Sequence, residues 1–193
     1  MYVVRKNHAG MQSLPLDAML LSQRMIFLTD SITTKSATTI LQQLLFLENE
    51  DNHNPIKLII NSSGGEVSAG LTLYDQIKGM DVPIDIYCTE IAASMAAILL
   101  AGGKRGHRFI LKSSRVMIHE PLLTSSSGMC ASASSLQKTA ESIIETKRLL
   151  NQLLAQDTGR TLKEIEQAVS YDNYMNAEQA VAFGICDAIV DRI

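Results

Sequence analysis

Tryptophan is absent from this sequence, and other aromatics are scarce, with four phenylalanines and five tyrosines. A core built without large rings has to be filled by aliphatic side chains and by the nine methionines, through many close helix and strand contacts. Cysteine is also sparse: Cys88, Cys130 and Cys186 lie far apart and form no C-x-x-C pair. That odd set argues against a disulfide framework and against a metal site, and it fits a reducing, cytoplasmic setting. Neither sign of charge is in large excess, with 17 lysines and arginines against 20 aspartates and glutamates. The net charge of −3 provides no basic excess for nucleic acid. Long apolar runs are lacking: the longest, residues 91–101, stops at Gly102-Gly103 and is too short to cross a membrane. The first residues, through Arg5, Lys6 and His8, have no apolar stretch after their charges, so no signal peptide is read there.

What remains is a chain of 193 residues, 46% hydrophobic and 19% charged, which suits one globular domain over residues 1–193. Residues 25–28 read as a strand. Ala37, Ile40, Leu41, Leu44, Leu45 and Leu47 then fall at helical spacing, with Thr33 or Thr34 available as N-cap. An apolar strand over 56–61, expected to be covered on both faces, leads into the turn Ser62-Ser63-Gly64-Gly65. Val67, Gly70, Leu71, Tyr74 and Ile77 give the next helix its inner face. Val82, Ile84, Ile86 and Cys88 alternate as a strand, and a small-residue helix is predicted over 92–101. Strands follow at 109–111 and 115–119, then a Ser-rich flexible segment at 124–135. A long helix runs on to about 157, with Leu136, Ala140, Ile143, Leu150 and Leu154 on one stripe. Thr161 with Glu164 forms a capping box, Asn176 caps a last helix ending at Gly184, and 185–190 reads as a closing strand. Strand–helix–strand units at this spacing mean an α/β fold with a mainly parallel sheet. The long helix is too extended to pack wholly on that sheet and is expected to project, burying its stripe against a partner.

Several residues carry possible chemistry. Ser94, between flanking alanines, stands where an apolar strand gives way to a helix, near free N–H groups able to stabilise a developing oxyanion. Small-residue helix packing explains the same segment. Gly64-Gly65 exposes N–H groups at the C-terminal edge of a strand, where α/β sites tend to lie, but an ordinary turn would look the same. His119 ends an apolar strand and can serve as a general base near neutral pH. Its neighbour Glu120 should face the other way. A carboxylate to orient the imidazole could come from Asp157, Asp172 or Asp187, and spacing does not choose among them. His8, His53 and His107 sit in polar loops and receive no role.

Taken together, the motifs are more specific than their parts. Arg24-Met25-Ile26-Phe27-Leu28, Ile60-Asn61-Ser62-Ser63-Gly64-Gly65 and Ala69-Gly70-Leu71 come in sequence. Ala92-Ala93-Ser94-Met95, Ser114-Arg115-Val116-Met117-Ile118-His119 and Ala177-Glu178-Gln179-Ala180 with Phe183-Gly184 follow. This collinear set resembles the ClpP family of peptidases from about Leu14 to Val190. The resemblance implies a ClpP/crotonase-like spiral of β-α-β units, an N-terminal segment over about 1–20, and a projecting handle region at about 124–157. It implies heptameric rings stacked as a tetradecamer. Ser94 becomes the nucleophile, His119 the base and Asp172 its orienting carboxylate, with the backbone N–H groups of Gly65 and Met95 as oxyanion hole. No cofactor is implied in this subunit: the sequence holds no Walker motif, so ATP acts on an AAA+ Clp unfoldase that delivers unfolded protein substrates.

The chain also departs from the family pattern. Ser63 replaces the usual proline, and Glu90 and Ala96 replace glycines around the serine. Glu120 replaces a glutamine, and Tyr171 an arginine beside Asp172. The segment from Leu123 to Gly128 is longer and richer in serine than usual. Lys57, Ile59 and Gly79 stand where apolar or aromatic residues commonly form the unfoldase-docking pocket. Two rivals follow: a weakly active or structural ring subunit working with a second ClpP-type subunit, and a crotonase-type acyl-CoA hydratase or isomerase. The latter has no need of a nucleophilic serine.

Overall fold

The computed structural model describes residues 1–7, 10–122 and 132–193. An antiparallel pair, β1 (Tyr2–Asn7) and β2 (Gly10–Pro15), runs into helix α1 (Leu16–Ser22). Helix α1 has Leu16, Met19 and Leu20 at helical spacing, but it spans only seven residues and holds no buried residue, too short a pattern to stand out in the sequence. Next come β3 (Met25–Leu28), α2 (Thr34–Glu50), β4 (Ile56–Ser62), α3 (Val67–Gly79), β5 (Ile84–Ala93), α4 (Met95–Ala101) and β6 (Arg108–Leu111). This run of parallel strands joined by helices is the expected α/β architecture. After β7 (Arg115–Ile118) come α5 (Ala133–Thr158), α6 (Leu162–Ala168), β8 (Asn173–Met175), α7 (Ala177–Phe183) and β9 (Ala188–Val190).

Strands β3, β4, β5, β6 and β9 lie side by side, all parallel. β5 is ten residues long and serves two neighbours in turn. Its Ile86–Cys88 part pairs with β6, and its last residues, Ile91 to Ala93, pair with β7. β8 then adds antiparallel to β7, setting Ile118 opposite Asn173. The step from one neighbour to the next brings the end of β5, the end of β7 and the start of β8 to one place.

Alternate residues of these strands face the helices. Ile26, Leu28, Leu58, Ile60, Ile86, Cys88 and Ile110 are each no more than 2% exposed. The opposite face is covered in part: on β4 Ile59 is 3% exposed while Lys57 is half-buried, Phe27 of β3 is 40% exposed, and Tyr87 stacks on Phe109 with ring centroids 4.9 Å apart. On α2 the inner face is Ala37, Ile40, Leu44 and Leu47, whereas Leu45 turns outward. On α3 Ala69 and Leu73 join Gly70, Tyr74 and Ile77 inside, while Val67 and Leu71 sit at the margin. The predicted caps at Thr33, Thr161 and Asn176 are all formed.

Helix α5 divides in two. Leu150, Asn151, Leu154 and Asp157 are buried against the body, whereas Leu136, Ile144 and Leu149 are 42–50% exposed. The apolar stripe therefore packs internally at its C-terminal end and stands out at its N-terminal end. The helix begins at Ala133 with Ser132 as cap, so residues 133–135 are helical rather than part of a flexible segment. The remainder of that segment, 124–131, together with Leu123, lies outside the described residues. The C-terminal end of α5 is fixed by polar contacts: buried Asp157 accepts from Tyr74 Oη at 2.8 Å and from Lys78 Nζ at 2.6 Å. Arg108, 3% exposed, donates to the carbonyls of Ala101 and Asp157 and to both carboxylate oxygens of Asp187. No described helix is long and apolar enough to cross a membrane.

Candidate active site

Strand β5 runs five residues past Cys88, where the alternation ends, so that Ala92 and Ala93 belong to it rather than to the helix, which starts only at Met95. Ser94 between them has φ 54° and ψ −124°. A non-glycine residue there carries roughly 1–3 kcal/mol of backbone strain, which persists only where surroundings hold it. Here the Ser94 N–H donates to Met117 O at 2.8 Å, and Ser94 O receives the N–H groups of Ala97 and Ile98 to start α4. All seven residues of α4 are buried. The result is a sharp strand-to-helix turn presenting the hydroxyl; the sequence places the change from strand to helix here, but nothing in the Ala-rich segment announces the positive φ.

The glycine turn packs directly on this corner. Gly64 has φ +91°, and a Cβ built on it would lie 2.6 Å from Ala93 O and 2.9 Å from Met95 N. Gly65, at φ +151°, would set its Cβ 2.1 Å from Ile32 O. Only glycine fits either position. The turn is held from behind by Ser62, 2% exposed, whose hydroxyl donates to Asp30 O at 2.7 Å and accepts from Gly64 N at 3.1 Å. Ile32 completes the hold, its N–H donating to Gly64 O and its carbonyl accepting from Glu66 N, both at 2.8 Å. On the next helix, Gly70 leaves room for the Met95 side chain: a Cβ there would be 2.2 Å from Met95 Cγ. Ser62, Ile32 and Gly70 were missed as supporting residues because their roles depend on distant contacts. The N–H groups of Gly65 and Met95 have no acceptor among the described residues.

His119 follows β7 directly. Its Nε2 lies 2.9 Å from Ser94 Oγ, and its Nδ1 lies 3.0 Å from Asp172 Oδ1. One tautomer satisfies both contacts, with Nδ1–H donating to the carboxylate and Nε2 accepting from the hydroxyl. The pairing of β7 with β8 carries Asp172, which immediately precedes β8, to the imidazole. Of the three aspartates left open by spacing, Asp157 and Asp187 are engaged at the far end of α5 and at Arg108. The side chains of His119 and Asp172 are 16% and 62% exposed. Neither described cysteine offers a rival nucleophile at this corner: burial pushes the Cys88 thiol up to about 12, and burial raises Cys186 as well. His53 is exposed, and His107 Nδ1 contacts Asp85 at 2.6 Å, away from Ser94.

The sequence model of one family, described as Clp protease, matches residues 8–193. The chain belongs to the Clp protease family. Membership makes a ClpP-type peptidase of this chain and implies assembly into rings that work with an unfoldase. The resemblance read from the motifs therefore holds over nearly the whole chain, and the mostly parallel sheet agrees with it. Beside Ser94 and His119 this Clp protease fold forms an apolar cleft, walled by Val67 and Ile98, by Ile118 and Pro121, and by Leu150 and Leu154 from α5.

Proposed function

We propose that the chain is a serine endopeptidase, the proteolytic subunit of an ATP-dependent Clp protease, cleaving unfolded proteins inside a ring chamber. The observation that supports this best is His119 standing between Ser94 Oγ and Asp172 Oδ1 at 2.9 and 3.0 Å. In this reading Ser94 attacks the scissile carbonyl carbon while His119 Nε2 takes the hydroxyl proton. The carbonyl oxygen becomes an oxyanion received by the N–H groups of Gly65 and Met95. Collapse of the tetrahedral intermediate breaks the C–N bond, and the imidazolium returns the proton to the leaving amine. Water then repeats the sequence on the acyl-enzyme, releasing the carboxylate product and free Ser94. Asp172 holds the imidazole in the required tautomer and offsets its positive charge. The cleft beside Ser94 would take an apolar substrate side chain. ATP is consumed by the unfoldase partner. A fluorophosphonate probe should label Ser94 and leave Ser94→Ala protein unlabelled. Labelling elsewhere, or none, refutes the assignment.

A second reading concerns assembly: this subunit works in a mixed ring, where a second ClpP-type subunit supplies unfoldase docking. It is favoured by the outward sheet face, where Lys57 lies in register with Asp85, which in turn contacts His107. Gly79 offers no side chain, and a Cβ on it would meet nothing within 4 Å. At Lys57 and at Gly79 an apolar loop would meet a charge and a missing side chain, while Phe27, Ile59, Tyr87 and Phe109 keep the rest of the outward face apolar, so the socket is incomplete. Robust degradation of a folded substrate by the homomeric ring with its unfoldase would count against this reading, and rescue by Lys57→Tyr would favour it.

A further inference from the structure

The cleft beside Ser94 has two walls that come from distant parts of the chain. Ile118, His119 and Pro121 form one, and Leu150 with Leu154 of α5 forms the other. Glu120 stands inside the first wall, between His119 and Pro121. Lys147 stands one helical turn before Leu150 and so shares its side of α5. The Lys147 ammonium donates to Glu120 Oε2 in a close ion pair. Among the described residues it is the only ion pair that ties α5 to the segment carrying His119.

The backbone of Glu120 is secured independently of its side chain. Its N–H donates to Val169 O at 2.9 Å, and Ile118 is registered opposite Asn173. These bonds keep His119 beside Asp172 whether or not the ion pair forms. Among the described residues no backbone hydrogen bond links α5 to the 118–121 segment, so the ion pair bears on the width of the cleft rather than on the catalytic contacts.

We propose that Glu120 and Lys147 act as a clamp, holding the α5 wall at the width that grips an apolar side chain. The pair is a positioning and specificity device, and the inference rests on the peptidase reading above. With side chains 42% and 37% exposed, it belongs to the class of pairs whose loss shifts affinity about two- to fivefold.

The test compares wild type, Glu120→Gln, Lys147→Met, Lys147→Arg and the swapped Glu120→Lys/Lys147→Glu protein. Two fluorogenic peptides are used, with leucine or alanine preceding the cleaved bond. Either neutralising variant should raise KM for the leucine peptide about two- to fivefold. Their kcat should stay within about twofold of wild type, and the alanine peptide, too small to touch both walls, should be unaffected. Lys147→Arg and the swapped protein should recover most of the loss. Added salt should raise KM of wild type but not of Lys147→Met. Equal effects on both peptides, a fall in kcat at constant KM, or no recovery in the swapped protein would overturn the clamp. The same comparison by fluorescence anisotropy on a Ser94→Ala background reads binding without turnover. If no protein cleaves peptide, the peptidase reading falls while these Kd values still decide the clamp.

Discussion

Gly64 lies so close to Ser94 that a methyl group placed on it would stand 2.8 Å from the Ser94 Cβ. The same methyl would crowd Met95 N, one of the two proposed oxyanion donors, and Gly64 has φ +91°. Gly64→Ala should therefore displace the turn or the serine corner, since the first obstacles are backbone and Cβ atoms that cannot swing away. The expected outcome is a loss of kcat/KM of at least about a hundredfold, the size of losing one oxyanion donor, together with a lower Tm. Steady-state peptide hydrolysis and thermal unfolding measure the two. Near-normal turnover by this variant would show that the turn does not bear on the serine.

Ser94 and His119 should behave as one unit. Ser94→Ala or His119→Ala alone is expected to remove nearly all peptide hydrolysis, and the double variant should be little worse than either. Losses that multiply across the two sites would mean that they act separately.

Ile144 on α5 is 49% exposed in the protomer, on the half of the helix that leaves the body. Ile144→Glu should leave the protomer folded, because a charge there stays in water, but should weaken any assembly that buries it. Native mass spectrometry is expected to show smaller oligomers, with peptidase activity falling in step. Full activity in a species no larger than one ring would separate activity from handle contacts.

Asp187 gives a pH prediction. Burial tends to raise its carboxyl, but hydrogen bonds and charge from Arg108, with the N–H groups of Gly106 and Arg108, outweigh that and hold it below the ordinary value. A lowered folded value means that the carboxylate stabilises the fold above about pH 4, and that the contribution is lost as pH falls through the folded value. Asp187→Asn leaves the buried Arg108 guanidinium without its anion and should cost about 3–5 kcal/mol at neutral pH. Denaturant unfolding at several pH values should show the gap between wild type and variant narrowing below pH 4. A gap independent of pH would refute the assignment.

Much of this protein is legible in its residue order. The alternation at Ile84, Ile86 and Cys88, the helical spacing from Ala37 to Leu47, and the caps at Thr33, Thr161 and Asn176 are local signals. Local signals survive in one dimension because period and capping depend on residues a few positions apart. The order of the motifs was enough to point to the Clp protease family. What the sequence could not decide depends on separation along the chain. Spacing alone left Asp157, Asp172 and Asp187 open, and it is the pairing of β7 with β8, joining Ile118 to Asn173, that brings Asp172 beside His119. Ser94's positive φ arises from Met117 and Gly64, neither its near neighbour in sequence. The division of α5 into a buried and an exposed half follows from where Leu150 and Leu154 meet the body, since an apolar stripe states only that something covers it.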